Sequence, residues 1–334
     1  MKISEVRDVI QKHSQDQLRV IIAELYKAIP KAVKEENDID HIIRDPTGSI
    51  QPRSGSKQRS KPDIDILTEE TNSFIEDAYS QHYFAPNRFV SKRERPKWRF
   101  IVKRLYKDLL LAADEDNVPE AAQLLEKLYE LLCHSCKYVL FNAYDPFQSV
   151  GIDQEDFFRR ILALKYQCEE KNTFLRNALL SMANVSLNRY TLREDLMWVI
   201  LEFAKTPDLR EMTVALCTEL IETIKRRPLS KKGERESDHE TEEKRNSLTL
   251  MGFLCYAQLY EYENAISYFK TNYCKDDKEV ALFVLLRLLF GLNQKNLFLR
   301  EYEAASRNGT RPRDILKKIY SLTKENGVFP ANCW

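Results

Sequence analysis

Residues 121–136 read AAQLLEKLYELLCHSC, and their apolar positions decide the fold. Leu124, Leu125, Leu128 and Leu132 fall on one side of a 3.6-residue repeat, and the charged residues fall on the other. No Gly or Pro interrupts the run, so it predicts an amphipathic helix. The same pattern recurs downstream at short intervals. Asp153 and Asp156 open a second helix that carries Phe157, Phe158, Ile161, Leu162 and Leu164. A third spans about residues 173–187 and a fourth about 192–203. A fifth follows Pro207, with Met212, Leu216, Leu220 and Ile224 at helical spacing. No such helix buries its apolar face alone, so successive short-looped helices predict an all-α helical-repeat array.

Composition agrees. The 334 residues are 43% hydrophobic and 31% charged, with a formal net charge of +1, an ordinary globular balance. Only 8 are Gly, which disfavours sheet folds and phosphate-cradling loops, and neither GxGxxG nor GxxxxGK[ST] occurs. No apolar run reaches the roughly 18 residues of a membrane span, and the first residues lack a signal-peptide core. The longest, residues 280–290, contains Arg287 and predicts a helix buried on all sides. Seven scattered Cys make no disulfide framework and fit a reducing, cytoplasmic setting.

Upstream, residues 88–107 read RFVSKRERPKWRFIVKRLYK, with nine Lys or Arg against one acid, Glu94. Pro96 fits the first turn of a helix ending near Ala113, on which Ile101, Leu105, Leu109 and Ala112 face inward. The candidate binding residues are Arg88, Lys92, Arg93, Arg95, Lys97, Trp98, Arg99, Lys103, Arg104 and Lys107. Cations interleaved with aromatics can grip phosphates and stack on bases. The same composition also describes a solvated helix face.

Residues 44–62 are rich in Pro, Gly, Ser and cations and read as a flexible basic linker. Before it, residues 1–43 read as a helical hairpin, with Ser14 and Gln17 at capping-box spacing. Residues 229–246, a polyampholyte, read as a disordered linker. The domain plan is thus hairpin 1–43, linker 44–62, array 63–228, linker 229–246 and C-terminal helical repeats 247–334.

Two stretches carry resemblances. ISEVRDVIQKHSQDQLRVIIAELYK (residues 3–27), with AVKE (32–35) and YDPF (144–147), resembles the opening of a family of uncharacterised bacterial helical proteins. That resemblance implies a helical fold and no particular activity. The stretch YEYENAISYF (260–269), with Tyr256, Ala265 and Phe269, is similar to the turn and second helix of a tetratricopeptide repeat. It departs from that pattern at Gly252, Phe253 and Asp277.

Chemistry-bearing groups are sparse. Cys133, His134 and Cys136 lack the second ligand pair a zinc site needs, and they extend a core stripe. Asp145, Asp153, Glu155 and Asp156 could bind a divalent ion or act as acid and base, but a residue before Pro and a helix start also call for caps. His82 has no recognisable catalytic partner. No cofactor or metal is expected. These features favour a non-enzymatic helical-repeat protein that binds a protein or peptide. The alternative is nucleic-acid binding through residues 88–107, and a metal-dependent hydrolase at residues 145–156 is the third reading.

Overall fold

Every regular element among the described residues of the computed structural model is helical, and none is a strand. Those residues are 9–30, 33–34, 39–44, 62–84, 89–113, 117–226, 238–275 and 277–331. The chain divides into two compact units, Met1–Lys61 and Pro62–Trp334.

In the first unit α1 (Gln15–Ala28) starts on the predicted capping box, with the Gln17 amide donating to Ser14 Oγ and the Ser14 amide to Gln17 Oε1. This satisfies two of the amides every helix start leaves without a partner. The Tyr26 hydroxyl donates to Asp40 at 2.6 Å and ties α1 to α2 (Ile39–Arg44). No residue of α1 is buried.

In the second unit α3 (Ile64–Tyr79) is followed by a 3-10 turn (Arg95–Lys97) that holds Pro96 and leads into α4 (Trp98–Ala112). Next come α5 (Val118–Lys137), a short α6 (Pro146–Val150), α7 (Gln154–Cys168), α8 (Lys171–Asn184), α9 (Arg193–Leu201) and α10 (Pro207–Arg226). Then follow α11 (Asp238–Gln258), α12 (Tyr262–Asn272), α13 (Lys278–Gly291), α14 (Lys295–Arg307) and α15 (Asp314–Asn326). Helix α5 packs against α3, α4, α6 and α7, and α11 packs against α8, α9, α10 and α12. The leucine stripe of α5 is wholly buried and joins one core that runs from Leu67 to Ile319. Burying that much apolar surface is the main stabilising term for such a unit.

Four expectations need correction. Inside α4 the buried stripe is Trp98, Val102, Leu105, Leu109 and Ala112, while Ile101 is only half-buried. Helix α11 begins at Asp238, inside the stretch read as a linker. Asn246, at the end of that stretch, is buried and pins the Cys274 backbone, accepting from its amide at 2.7 Å and donating to its carbonyl at 2.8 Å. Residues 229–237 and 45–61 of the expected linkers lie outside the described residues. Helix α13 buries Leu285 and Leu289 but is not buried all round, because Arg287 is exposed and pairs with Glu194 on α9. The short helix α6 had no counterpart in the sequence reading.

Helices α11 and α12 meet closely at Gly252, where an added Cβ would stand 2.4 Å from the Tyr268 ring. Tyr268 is also held edge-on to Tyr256 at 5.7 Å and lies 3.5 Å from Thr218 Oγ1. Gly252→Val is therefore expected to destabilise the unit by about 1–3 kcal/mol through overpacking. A urea titration checks this, and an unchanged midpoint would mean that the contact yields freely.

Candidate functional site

The basic-aromatic segment separates into an inner and an outer set. Trp98 is 3% exposed, and its ring stacks on Phe141 at 4.1 Å and 12°. It is a core residue and leaves the set of surface candidates. Arg95 Nε donates to the Val90 carbonyl at 2.8 Å, which fixes the turn before α4. Arg104 pairs with Glu70 at 2.8 Å and Asp108 at 3.7 Å, and Lys97 with Glu94 at 2.8 Å. Arg88 lies outside the described residues. Lys92, Arg93, Arg99, Lys103 and Lys107 are exposed and have no acidic partner among the described residues, and the Arg99 guanidinium lies over the Phe100 ring at 5.0 Å. Phe100 is 60% exposed. Five of the ten predicted residues thus remain as uncommitted surface cations.

The acids at 145–156 do not converge. Asp145 is buried and caps α6, accepting the Gln148 amide at 2.9 Å through one oxygen and the Arg189 amide at 3.4 Å through the other. Gly151 closes this short helix with a left-handed φ of +72°, a conformation that Gly adopts without strain. Asp153 holds the cap position of α7 without a side-chain hydrogen bond, and Asp156 pairs with Arg159. Capping and pairing occupy Asp145 and Asp156, and the hydrolase reading loses the shared pocket it requires.

Cys133 is buried beside Gln154, whose Nε2 lies 3.2 Å from its sulfur. Burial pushes the Cys133 thiol well up, and burial plus Asp145 pushes Cys136 up to about 12. Both stay protonated at neutral pH, the wrong state for a nucleophile or a metal ligand. No group of three or more His, Cys, Asp or Glu among the described residues is placed to hold a metal ion. His82 is tied to Asp77 at 2.9 Å and stacked on Phe89 at 4.5 Å.

The site that spacing did not reveal is a groove of about 490 Å³. Its floor and walls come from α5, α7 and α8, with Tyr79 of α3 at the rim. Helix α5 contributes Glu126, Glu130 and His134, one turn apart in succession on the face away from its leucine stripe. Helix α7 contributes Lys165, which is 7% exposed. Its ammonium lies 2.6 Å from both Glu126 oxygens and 3.6 Å from Glu169. Asn177 and Ser181 of α8 and Ser186 beyond it complete the polar lining.

Charge in the groove is unbalanced. Lys165 already faces two carboxylates, and Glu130 forms no ion pair among the described residues. Burial first, and then repulsion from Glu126, push the Glu130 carboxyl up, although Lys165 and Lys127 pull against this. Burial and the neighbouring Lys137 push the His134 ring down, so it is neutral at pH 7. His134 meets Tyr79 edge-on at 5.3 Å, which places two rings beside the carboxylates, and it stacks on Tyr138 at 4.5 Å, whose own ring lies under the Lys137 ammonium.

The i, i+4, i+8 series Glu126, Glu130 and His134 is visible in the sequence as a polar stripe, but nothing marks it as more than a solvated face. Its partner Lys165 is 39 positions away. No protein-family model, no curated protein and no solved structure matches the chain.

Proposed function

We propose that the chain is a cytoplasmic helical-repeat interaction protein that binds a segment of a partner protein in the groove between α5, α7 and α8. The observation that carries this reading is the groove, lined by polar groups that converge from three helices. Most sequence-adjacent helices between residues 62 and 226 pack on one another, as in repeat arrays, and such arrays present their binding residues from successive helices. Glu130, without an ion pair among the described residues and beside the Tyr79 and His134 rings, fits a lysine or arginine side chain of the partner. A carboxylate supplies a charge-assisted hydrogen bond, and ring faces attract a cation.

An array of immobilised peptides, with Lys or Arg replaced singly by Gln, tests this with the full chain. Binding should concentrate on cationic peptides and weaken about 10- to 150-fold in Glu130→Gln, the equivalent of the roughly 1.5–3 kcal/mol of a hydrogen bond to a charged group. Ser181→Trp, which fills the groove, should abolish it. Binding should also fall with pH. The cation needs the ionised carboxylate, so affinity is full above the raised Glu130 pKa and is lost as pH drops through it. If Ser181→Trp and Glu130→Gln both bind the same peptides as the parent, the groove is not the site.

A further inference from the structure

The surface cations of α4 and the turn before it are separate from the groove and carry a different chemistry. Arg99, Lys103 and Lys107 follow one another at i, i+4 and i+8, and residues so spaced share one helix face with about 5–6 Å between successive side chains. Lys103 reaches the C-terminal end of α6, its ammonium 3.7 Å from where a Cβ on Gly151 would stand. Arg160 of α7 reaches the Tyr106 hydroxyl of α4. Lys92 and Arg93 stand exposed in the turn just before. The acids nearby are engaged elsewhere: Asp108 and Glu70 by Arg104, Glu94 by Lys97, and Asp156 by Arg159. A row of cations about 6 Å apart, without acidic partners among the described residues, matches the repeat of a phosphate backbone, where each contact releases a condensed counterion.

One feature distinguishes this row from a merely solvated face. Phe100, which belongs to the same turn as Arg99, Lys103 and Arg104, leaves its ring 60% exposed while its neighbour Trp98 is buried. An exposed aromatic ring inside a cationic strip is costly in water, and it offers a platform to an unstacked base. Bases inside a duplex are already stacked on each other and cannot use it. We infer that the Arg99–Lys103–Lys107 face of α4, with Lys92, Arg93 and the Phe100 ring, is a binding surface for single-stranded nucleic acid. The phosphates run along the cations and one base stacks on Phe100.

The test uses the full chain and a fluorescent single-stranded oligonucleotide of about a dozen nucleotides, with anisotropy read between about 50 and 200 mM salt. With five cations engaged, log K against log salt should slope at about −3.5, from roughly 0.7 per contact on a single strand. The triple change Arg99→Gln, Lys103→Gln, Lys107→Gln should flatten the slope by about 2. Phe100→Ala should weaken binding about 5- to 150-fold at fixed salt and leave the slope alone, the loss of one stacked base. Lys97→Gln and Arg104→Gln, whose charges already have acidic partners, serve as controls that should move the slope little. The altered side chains are largely exposed, so each variant should melt with the parent. Absence of binding at about 50 mM salt overturns the proposal. So does a slope unchanged in the triple variant. Equal affinity for a duplex or a sulfated polysaccharide, together with an inert Phe100→Ala, would make the strip a general polyanion surface and would also overturn it.

Discussion

Trp98→Ala should lower the stability of the second unit by about 3–5 kcal/mol and leave oligonucleotide binding untouched. Trp98 lies at the start of α4 with its ring flat on Phe141, and Phe141 in turn stacks 6.3 Å from Phe74 of α3 and 6.2 Å from Tyr83. Removing the indole takes out a large buried surface and leaves a cavity between rings from three segments, each held by its own helix or turn, so the space cannot collapse cheaply. At about 2–4 °C per kcal/mol for a domain of this size, the melting temperature should fall by roughly 6–20 °C. Phe100→Ala, two positions along, should do the reverse: no change in melting, and a loss of binding. If Trp98→Ala melts with the parent and loses binding instead, the inner and outer sets of this segment have been interchanged.

Lys165→Met should cost about 3–5 kcal/mol at neutral pH, towards the lower end because Glu126 and Glu169 keep some contact with water. The methionine fills the same volume, so the loss reports charge and not a cavity. Without the ammonium, the Glu126, Glu130 and Glu169 carboxylates repel one another in a partly buried setting, and the Glu130 carboxyl, already pushed up by burial and Glu126, loses the pull of Lys165 that opposes this. A carboxyl raised in this way destabilises the fold fully above its folded pKa, and the penalty fades as pH falls through it. The gap between variant and parent should therefore be widest near pH 7 and narrow towards about pH 4, where carboxylates begin to protonate. Adding Glu126→Leu should restore much of the loss, since replacing both members of a buried pair by apolar groups is often neutral or better. Urea midpoints at the two pH values decide this. A gap independent of pH would show that packing, not charge, explains Lys165.

Two aromatic residues two positions apart in sequence thus have opposite surroundings, Trp98 in the core and Phe100 on the surface. Successive helical residues are rotated by about 100°, so Trp98 and Phe100 point to different sides. The spacing Trp98, Val102, Leu105, Leu109 and Ala112 is itself a helical stripe. Starting the count at Val102 and not at Ile101 would have placed Trp98 inside. The cations mask this stripe, because their long stems make a helix look uniformly basic in sequence while only some reach water unpaired.

The sequence by itself determined the all-α class, the α1 capping box at Ser14 and Gln17 and the buried stripe of α5. Each depends on interactions within four residues or on a periodicity that any one helix displays. The start of α11 at Asp238 was hidden because a charged helix end and a charged linker have the same composition, and only the docking of Asn246 on Cys274 separates them. The Lys165–Glu126 pair, the spent charges of Arg95 and Arg104, and the groove between α5, α7 and α8 were decided by tertiary structure alone. Charges carry no periodic label that names a partner 34 or 39 residues away, and only packing sets which of them lose water and must be paired.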